Sequence, residues 1–303
     1  MSHDVEEVSH HDYRVVDTDA HYIESIDDLV TYMDEPWKTR LEKGGEASKE
    51  FLLPKSSGDR TVFGRISRDH PYGYEGNDPE DAVEIMEYLG VDASIQLTQL
   101  LLAFARLKAD DDRAAVLAKA YNKYMIDQVV DPGNGVYTTG VIPYQDPQAA
   151  VEEIDRIKDE SGIVGFMMVT GGAEPPFGNR EYEPIYEAVE RSGKPIVFHT
   201  GGSGLDEFYL TGYEKLIETH TLGFLMNNMA QTGSLIVQGI PEKFPNLDIV
   251  FLESGIFYVP LLMSRLDAEY RKRPSEAPLL EKPPSSYLQE MYFGTQPIEE
   301  PPH

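Results

Sequence analysis

An α/β chain built from parallel βαβ units is predicted from three features of the 303-residue sequence. Short runs rich in Val, Ile and Phe alternate with helical patterns along most of the length. Most of these runs are apolar at successive positions, as strands buried on both faces require. No internal repeat or low-complexity tract interrupts them, and the length suits one domain, because an α/β barrel of roughly 250 residues is a single unit. Residues 1–303 are therefore read as one domain.

The apolar runs at 14–21, 93–99, 136–144, 165–170, 195–200, 247–253 and 292–296 are the candidate strands. Asp78 with Pro79 opens a helix over 80–89, and Asp146 with Pro147 opens one over 148–160; each is an N-cap followed by proline at the first helical position. Residues 111–130 carry an apolar stripe of helical period through Leu117, Ala118, Tyr121, Met125 and Val129. A further helical pattern covers 213–229, and Gly90 and Gly193 stand where helix C-caps are expected. Two stretches break the alternation. Residues 24–74, with Trp37, read as an insertion that folds over a barrel mouth, and the Pro-rich 274–284 reads as a loop before the last strand.

Composition removes several classes of function. With no Cys there is no disulfide framework, thiolate metal site or cysteine nucleophile, so any metal must be held by His, Asp and Glu. The 53 acidic residues against 26 basic give a net charge of -27, which repels nucleic acid and anionic membranes. Such a charge also opposes compaction in dilute salt, and points to a cytoplasmic protein of a salt-accumulating, halophilic organism. No apolar run approaches the roughly 20 residues that cross a bilayer, and the N-terminal segment is polar and acidic.

The first strand ends in Asp17-Thr18-Asp19-Ala20-His21, and alternation projects Asp17, Asp19 and His21 to one side. Three ionisable groups on a buried strand are costly unless a cation neutralises them, and Asp with His suits zinc or manganese. By itself D-x-H is common by chance in so acidic a chain, and a purely structural cluster is the alternative. The run Pro195-Ile196-Val197-Phe198-His199 ends in a histidine before Gly201, Gly202 and Gly204. Functional residues of parallel α/β folds sit at such strand ends, although a lone histidine there is often a core residue. The glycines could cradle a phosphate, but neither G-x-G-x-x-G nor G-x-x-x-x-G-K is present. The run Ile249-Val250-Phe251-Leu252-Glu253 again ends in an ionisable group, either a desolvated acid or base or a paired structural carboxylate. His220 falls on the helical pattern of 213–229, where a histidine is usually structural.

In order, D-x-D-x-H, P-I-x-x-H-x-G-G and F-P-x-L-x-I-V-F-L-E-S-G resemble the amidohydrolase-related family that includes aminocarboxymuconate-semialdehyde and γ-resorcylate decarboxylases. The likeness runs over residues 15–300. It implies an α/β fold of the (β/α)8 TIM-barrel type, with about seven strands visible here and the eighth missing. It also implies one divalent metal, zinc before manganese, held by Asp19, His21 and His199, with Asp17 supporting them. Decarboxylases of the family carry a histidine where this chain has Glu253, and His220 resembles a helix histidine of the branch with L-E-S-G. Glu253 and His220 are therefore the candidate catalytic acid and base.

The resemblance further implies a last metal-binding Asp in an S-D-Y-P-H-type motif on strand eight, whereas this sequence ends at Pro301-Pro302-His303. The expectation is a C-terminally truncated barrel. Its function is that of a metal-dependent hydrolase or non-oxidative decarboxylase acting on a small carboxylated, cyclic or unsaturated substrate. The competing readings are a non-catalytic truncated barrel, half of an enzyme completed by a second polypeptide or a homo-oligomer, and, third, a phosphate-binding module at Gly201–204.

Overall fold

The computed structural model of the chain describes residues 13–49, 52, 81–107, 112–201 and 216–295. Among them lie seven strands: β1 (Val16–Tyr22), β2 (Ala93–Thr98), β3 (Val136–Val141), β4 (Ile163–Val169), β5 (Ile196–His199), β6 (Ile249–Leu252) and β7 (Tyr292–Phe293). They form one sheet in chain order with every neighbouring pair parallel. The connections carry α1 (Ile26–Val30), α2 (Trp37–Lys49) and α3 (Asp81–Leu89) after β1, and α4 (Asp112–Tyr124) after β2. They continue with α5 (Pro147–Ile157), α6 (Glu183–Ser192), α7 (Leu216–Val237), α8 (Ile240–Lys243), α9 (Tyr258–Lys272) and α10 (Pro284–Leu288). This is the expected (β/α)8 TIM-barrel type, with an eighth strand not among the described residues.

All seven expected strands are present, and their burial explains why apolar runs mark them: β4 and β5 are closed on both faces. Register between the later strands is set by aromatic side chains. Phe198 lies opposite Phe251 with ring centroids 5.0 Å apart, and Phe251 opposite Phe293 at 5.6 Å, both stacked. That ladder aligns His199 with Leu252, so β5 and β6 end at one level and Glu253 stands one residue beyond it.

The caps behave as the sequence implies where they are described. Asp146 accepts from the backbone of Gln148 and Ala149, and Gly90 and Gly193 both have φ +69°. The expected cap at Asp78 lies outside the described residues. The long helix expected over 111–130 stops at Tyr124 and passes into a π-helical turn, Met125–Val129. The one expected over 213–229 runs on to Val237. Beyond 229, Gln231 and Thr232 are buried and paired rather than terminating: Gln231 accepts from the Phe177 backbone, and Thr232 Oγ1 donates to the Asn228 carbonyl.

The described part of the 24–74 stretch packs on α4, where Tyr32 meets the Tyr124 ring edge-on and Asp34 pairs with Lys119 and Lys123. Residues 50, 51 and 53–74, the remainder of the stretch expected over the mouth, lie outside those described. The 274–284 segment contains a 3-10 turn, Pro274–Glu276, and buries Ala277 and Leu280, so its prolines shape a packed connection rather than a free loop.

Candidate metal centre

Three strand ends supply the site. His199 closes β5, Glu253 follows β6, and Asp19 and His21 stand near the end of β1. The alternation expected to align Asp17, Asp19 and His21 is broken, because register shifts between Asp17 and Ala20, where β1 bulges against β2. The bulge re-aims Asp19 toward the barrel interior. Asp17 stays outside the donor cluster and instead accepts from the Asp19 backbone N–H at 3.0 Å, bracing the bulge.

Nε2 of His199 lies 3.2 Å from Oδ1 of Asp19, and Nε2 of His21 lies 3.5 Å from the same oxygen. Donor atoms of these three residues fall within 4.8 Å of one another. Ligands held about 2.1 Å from a shared ion are about 3–3.5 Å apart, so this spacing fits a divalent metal. His21 Nδ1 lies 3.3 Å from the Thr98 carbonyl oxygen. A proton on Nδ1 donated to that carbonyl leaves the Nε2 lone pair facing the cluster, as metal-binding histidines require. The two imidazoles meet edge to face, 5.0 Å between centroids.

Charge is tightly coupled here. Burial opposes ionisation of Asp19, yet the hydrogen bond and charge of His199 and the charge of His21 hold its carboxyl below the usual range. Burial likewise disfavours a charged His199, but Asp19 and then Glu253 push its pKa above the ordinary value. Glu253 Oε2 lies 3.4 Å from Nε2 of His199 and 4.0 Å from Nε2 of His21, so the expected acid or base borders the cluster. Its backbone has φ +43°, a left-handed conformation uncommon for a residue other than glycine or asparagine, and such strain collects at functional sites.

His199 is fully buried, while the side chains of His21, Asp19 and Glu253 keep between 15% and 24% exposure, so access is from their side. A cavity of about 270 Å³ opens there, lined by Asp17, Asp19, His21, Met86, Ser94 and Gln96. The rest of its lining is apolar, from Ala82, Ile85, Leu89 and Val91. His220 is on α7, and its side chain lies outside the described residues. Gly201 has a packing reason for being glycine: a Cβ there would stand 2.1 Å from the Leu102 carbonyl oxygen. Gly202 and Gly204 are outside the described residues.

Sequence reasoning missed two groups. Glu24 accepts from Thr98 Oγ1 and from the backbone of Gln99 and Leu100, a partnership across 74 residues. Asn228 accepts through Oδ1 from the hydroxyls of Thr170 and Thr200, tying α7 to the ends of β4 and β5. The signal available for Asn228 was the polar pair Asn227-Asn228 within an apolar helix, and for Glu24 a carboxylate just after the strand that carries His21.

The chain is similar to several known proteins. γ-Resorcylate decarboxylase of Rhodococcus jostii (strain RHA1) is 26% identical over 166 residues, covering 52% of this chain and 50% of that protein. The chain spans about half the length of the curated relatives it matches. Among solved structures, an amidohydrolase from Mycobacterium avium subsp. paratuberculosis superposes with a TM-score of 0.73 at 18% identity, covering 94% of this chain and 84% of that one. Dihydroxybenzoic acid decarboxylase of Polaromonas sp. JS666, with bound manganese and the inhibitor 2-nitroresorcinol, gives 0.62 at 17% identity, covering 94% and 79%. The amidohydrolase family profile matches residues 16–290, nearly the whole described barrel, and the chain belongs to that family.

Proposed function

We propose that the protein is a metal-dependent carboxy-lyase that removes CO2 from a small aromatic or unsaturated carboxylate. The observation that carries this reading is the convergence of Asp19 Oδ1, His21 Nε2 and His199 Nε2, with Glu253 Oε2 beside them, at the carboxyl ends of barrel strands. Asp19, His21 and His199 are the residues that would hold the ion. The carboxylate and imidazole donors suit zinc or manganese, and the manganese in the Polaromonas structure supports manganese. The resemblance to γ-resorcylate decarboxylases supports loss of CO2 over hydrolysis.

When bound, the ion supplies Lewis acidity toward the oxygens of the substrate. The protein's own groups do the rest. Glu253 delivers a proton to the ring carbon as the bond from that carbon to the carboxylate breaks; CO2 leaves, and the electron pair left on the carbon takes the proton to form the new C–H bond. The Glu253 carboxylate, open to solvent, then regains a proton from water. His220 is the second candidate for this transfer. The buried His199 and the Asn228 hydrogen bonds to Thr170 and Thr200 keep the floor of the site rigid and dry.

The test is release of CO2 from a panel of hydroxybenzoates by the manganese-loaded chain. Turnover abolished by chelation and restored by manganese is expected. Hydrolysis of esters or lactones without CO2 release would replace the lyase assignment. A second reading has a complementing polypeptide or another copy close the barrel, and it draws on β1 and β7, each with one ladder neighbour among the described residues. Activity of the isolated monomer would remove it.

A further inference from the structure

The turn after β1 contains a carboxylate with no role in the chemistry above. Glu24 is buried, 4% exposed. Desolvating a carboxylate is tolerated only where donors surround it, and here all of the donors belong to one segment. Thr98 Oγ1 donates to Oε1, Leu100 N–H donates to Oε1 at 3.2 Å, and Gln99 N–H donates to Oε2 at 3.1 Å. Thr98 Oγ1 also accepts from Leu101 N–H at 2.9 Å. Glu24 thereby closes the first turn of the 3-10 helix Leu100–Arg106, whose own cap residue makes no side-chain bond.

That segment touches His21 and lies against the chain two residues past His199. Upstream, the Thr98 carbonyl is the oxygen facing His21 Nδ1. Downstream, the Leu102 backbone lies so close to Gly201, two residues past His199, that no side chain fits between them. A shift of residues 98–102 would move the acceptor that orients the His21 ring and the wall behind the end of β5 together.

We propose that Glu24 is a positioning residue for the metal centre, acting through the 98–102 segment on the ring orientation of His21 and on the seat of His199. The proposal rests on the reading of Asp19, His21 and His199 as metal ligands. Groups that orient a ligating histidine in this way typically change metal affinity by about 10–100-fold when removed.

The experiment is titration of the metal-free chain with Mn(II), followed by electron paramagnetic resonance, and with Co(II), followed by visible absorption. Wild type is compared with Glu24→Ala, Glu24→Gln and a control, Ile154→Ala, which opens a cavity at a buried residue of α5 away from the site. Glu24→Ala is expected to weaken Mn(II) binding by about 10-fold or more and to change the Co(II) band shape. Gln keeps one accepting oxygen for Thr98 and Leu100, and should recover most of the affinity. Ile154→Ala should lower the melting temperature and leave both readouts unchanged. Equal Mn(II) affinity in wild type and Glu24→Ala overturns the role of Glu24 alone, whereas a wild type that binds neither ion overturns the metal-site reading and this proposal with it. Should Glu24→Ala not fold, Thr98→Val removes the hydroxyl donor at constant shape; it is expected to weaken binding by about threefold or more, and unchanged binding overturns the proposal.

Discussion

His199 and Asp19 meet at 3.2 Å across 180 residues of chain, joining the end of β5 to the bulge of β1 through Nε2 and Oδ1. The contact brings an imidazole and a carboxylate to the point where His21 adds a second imidazole, and it is the geometric core of the site.

His199→Ala should lower bound Mn(II) at least about tenfold, because one of three protein ligands is lost and binding free energy depends on each. Metal content by mass spectrometry after dialysis reads this directly. Unchanged stoichiometry would make His199 a core residue.

Glu253→Gln should retain the metal and the melting temperature and lose turnover, since an amide N–H is far too weak an acid to deliver a proton. Normal turnover would move the role to His220. Glu253→Gly tests the backbone: removing a side chain from φ +43° should stabilise the fold by about 1 kcal/mol while activity is lost. A less stable glycine variant would mean that the Glu253 side chain contributes more than the strain costs.

Glu24 gives stability a pH dependence of defined sign. Burial, opposed by its three donors, pushes its carboxyl up to about 7 from 4.5. A raised carboxyl pKa means that the folded state holds the proton more tightly, so the contribution is full below pH 4.5 and is lost as pH rises through about 7. The loss amounts to about 3 kcal/mol. Urea melts of wild type and Glu24→Gln should therefore converge or cross between these pH values, because only wild type carries this titration. Parallel stability curves would show that Glu24 does not titrate in this window.

Gly201→Ala should destabilise by about 1–3 kcal/mol, since its Cβ would fall 2.1 Å from backbone that cannot rotate away. A neutral effect in thermal melts would mean that the 3-10 helix at Leu100 moves freely.

Molar KCl should raise the melting temperature, because screening relieves a net charge of -27. A melting temperature that is flat or falls with salt removes the halophilic assignment.

Much of the architecture was legible because local patterns encode it. Val, Ile and Phe at successive positions mark β4, β5 and β6, and Asp146-Pro147 marks the start of α5. His199 stood out because it ends an apolar strand, where functional residues of parallel α/β folds sit, and because Asp19 and His21 end another. α7 runs past 229 because Gln231 and Thr232 find buried partners in Phe177 and Tyr258, distant residues that a local pattern does not encode.

By itself, then, the sequence determined the order of strands and helices, the absence of thiol chemistry and the residue types at the strand ends. The tertiary structure alone decided that β1 bulges to turn Asp19 inward while Asp17 stays behind, and that Glu24 grips the turn below His21. The physical reason is range. Periodicity and capping act between residues a few positions apart, whereas a metal-sized cluster depends on strand register and the curl of the sheet, which are settled only when distant segments pack.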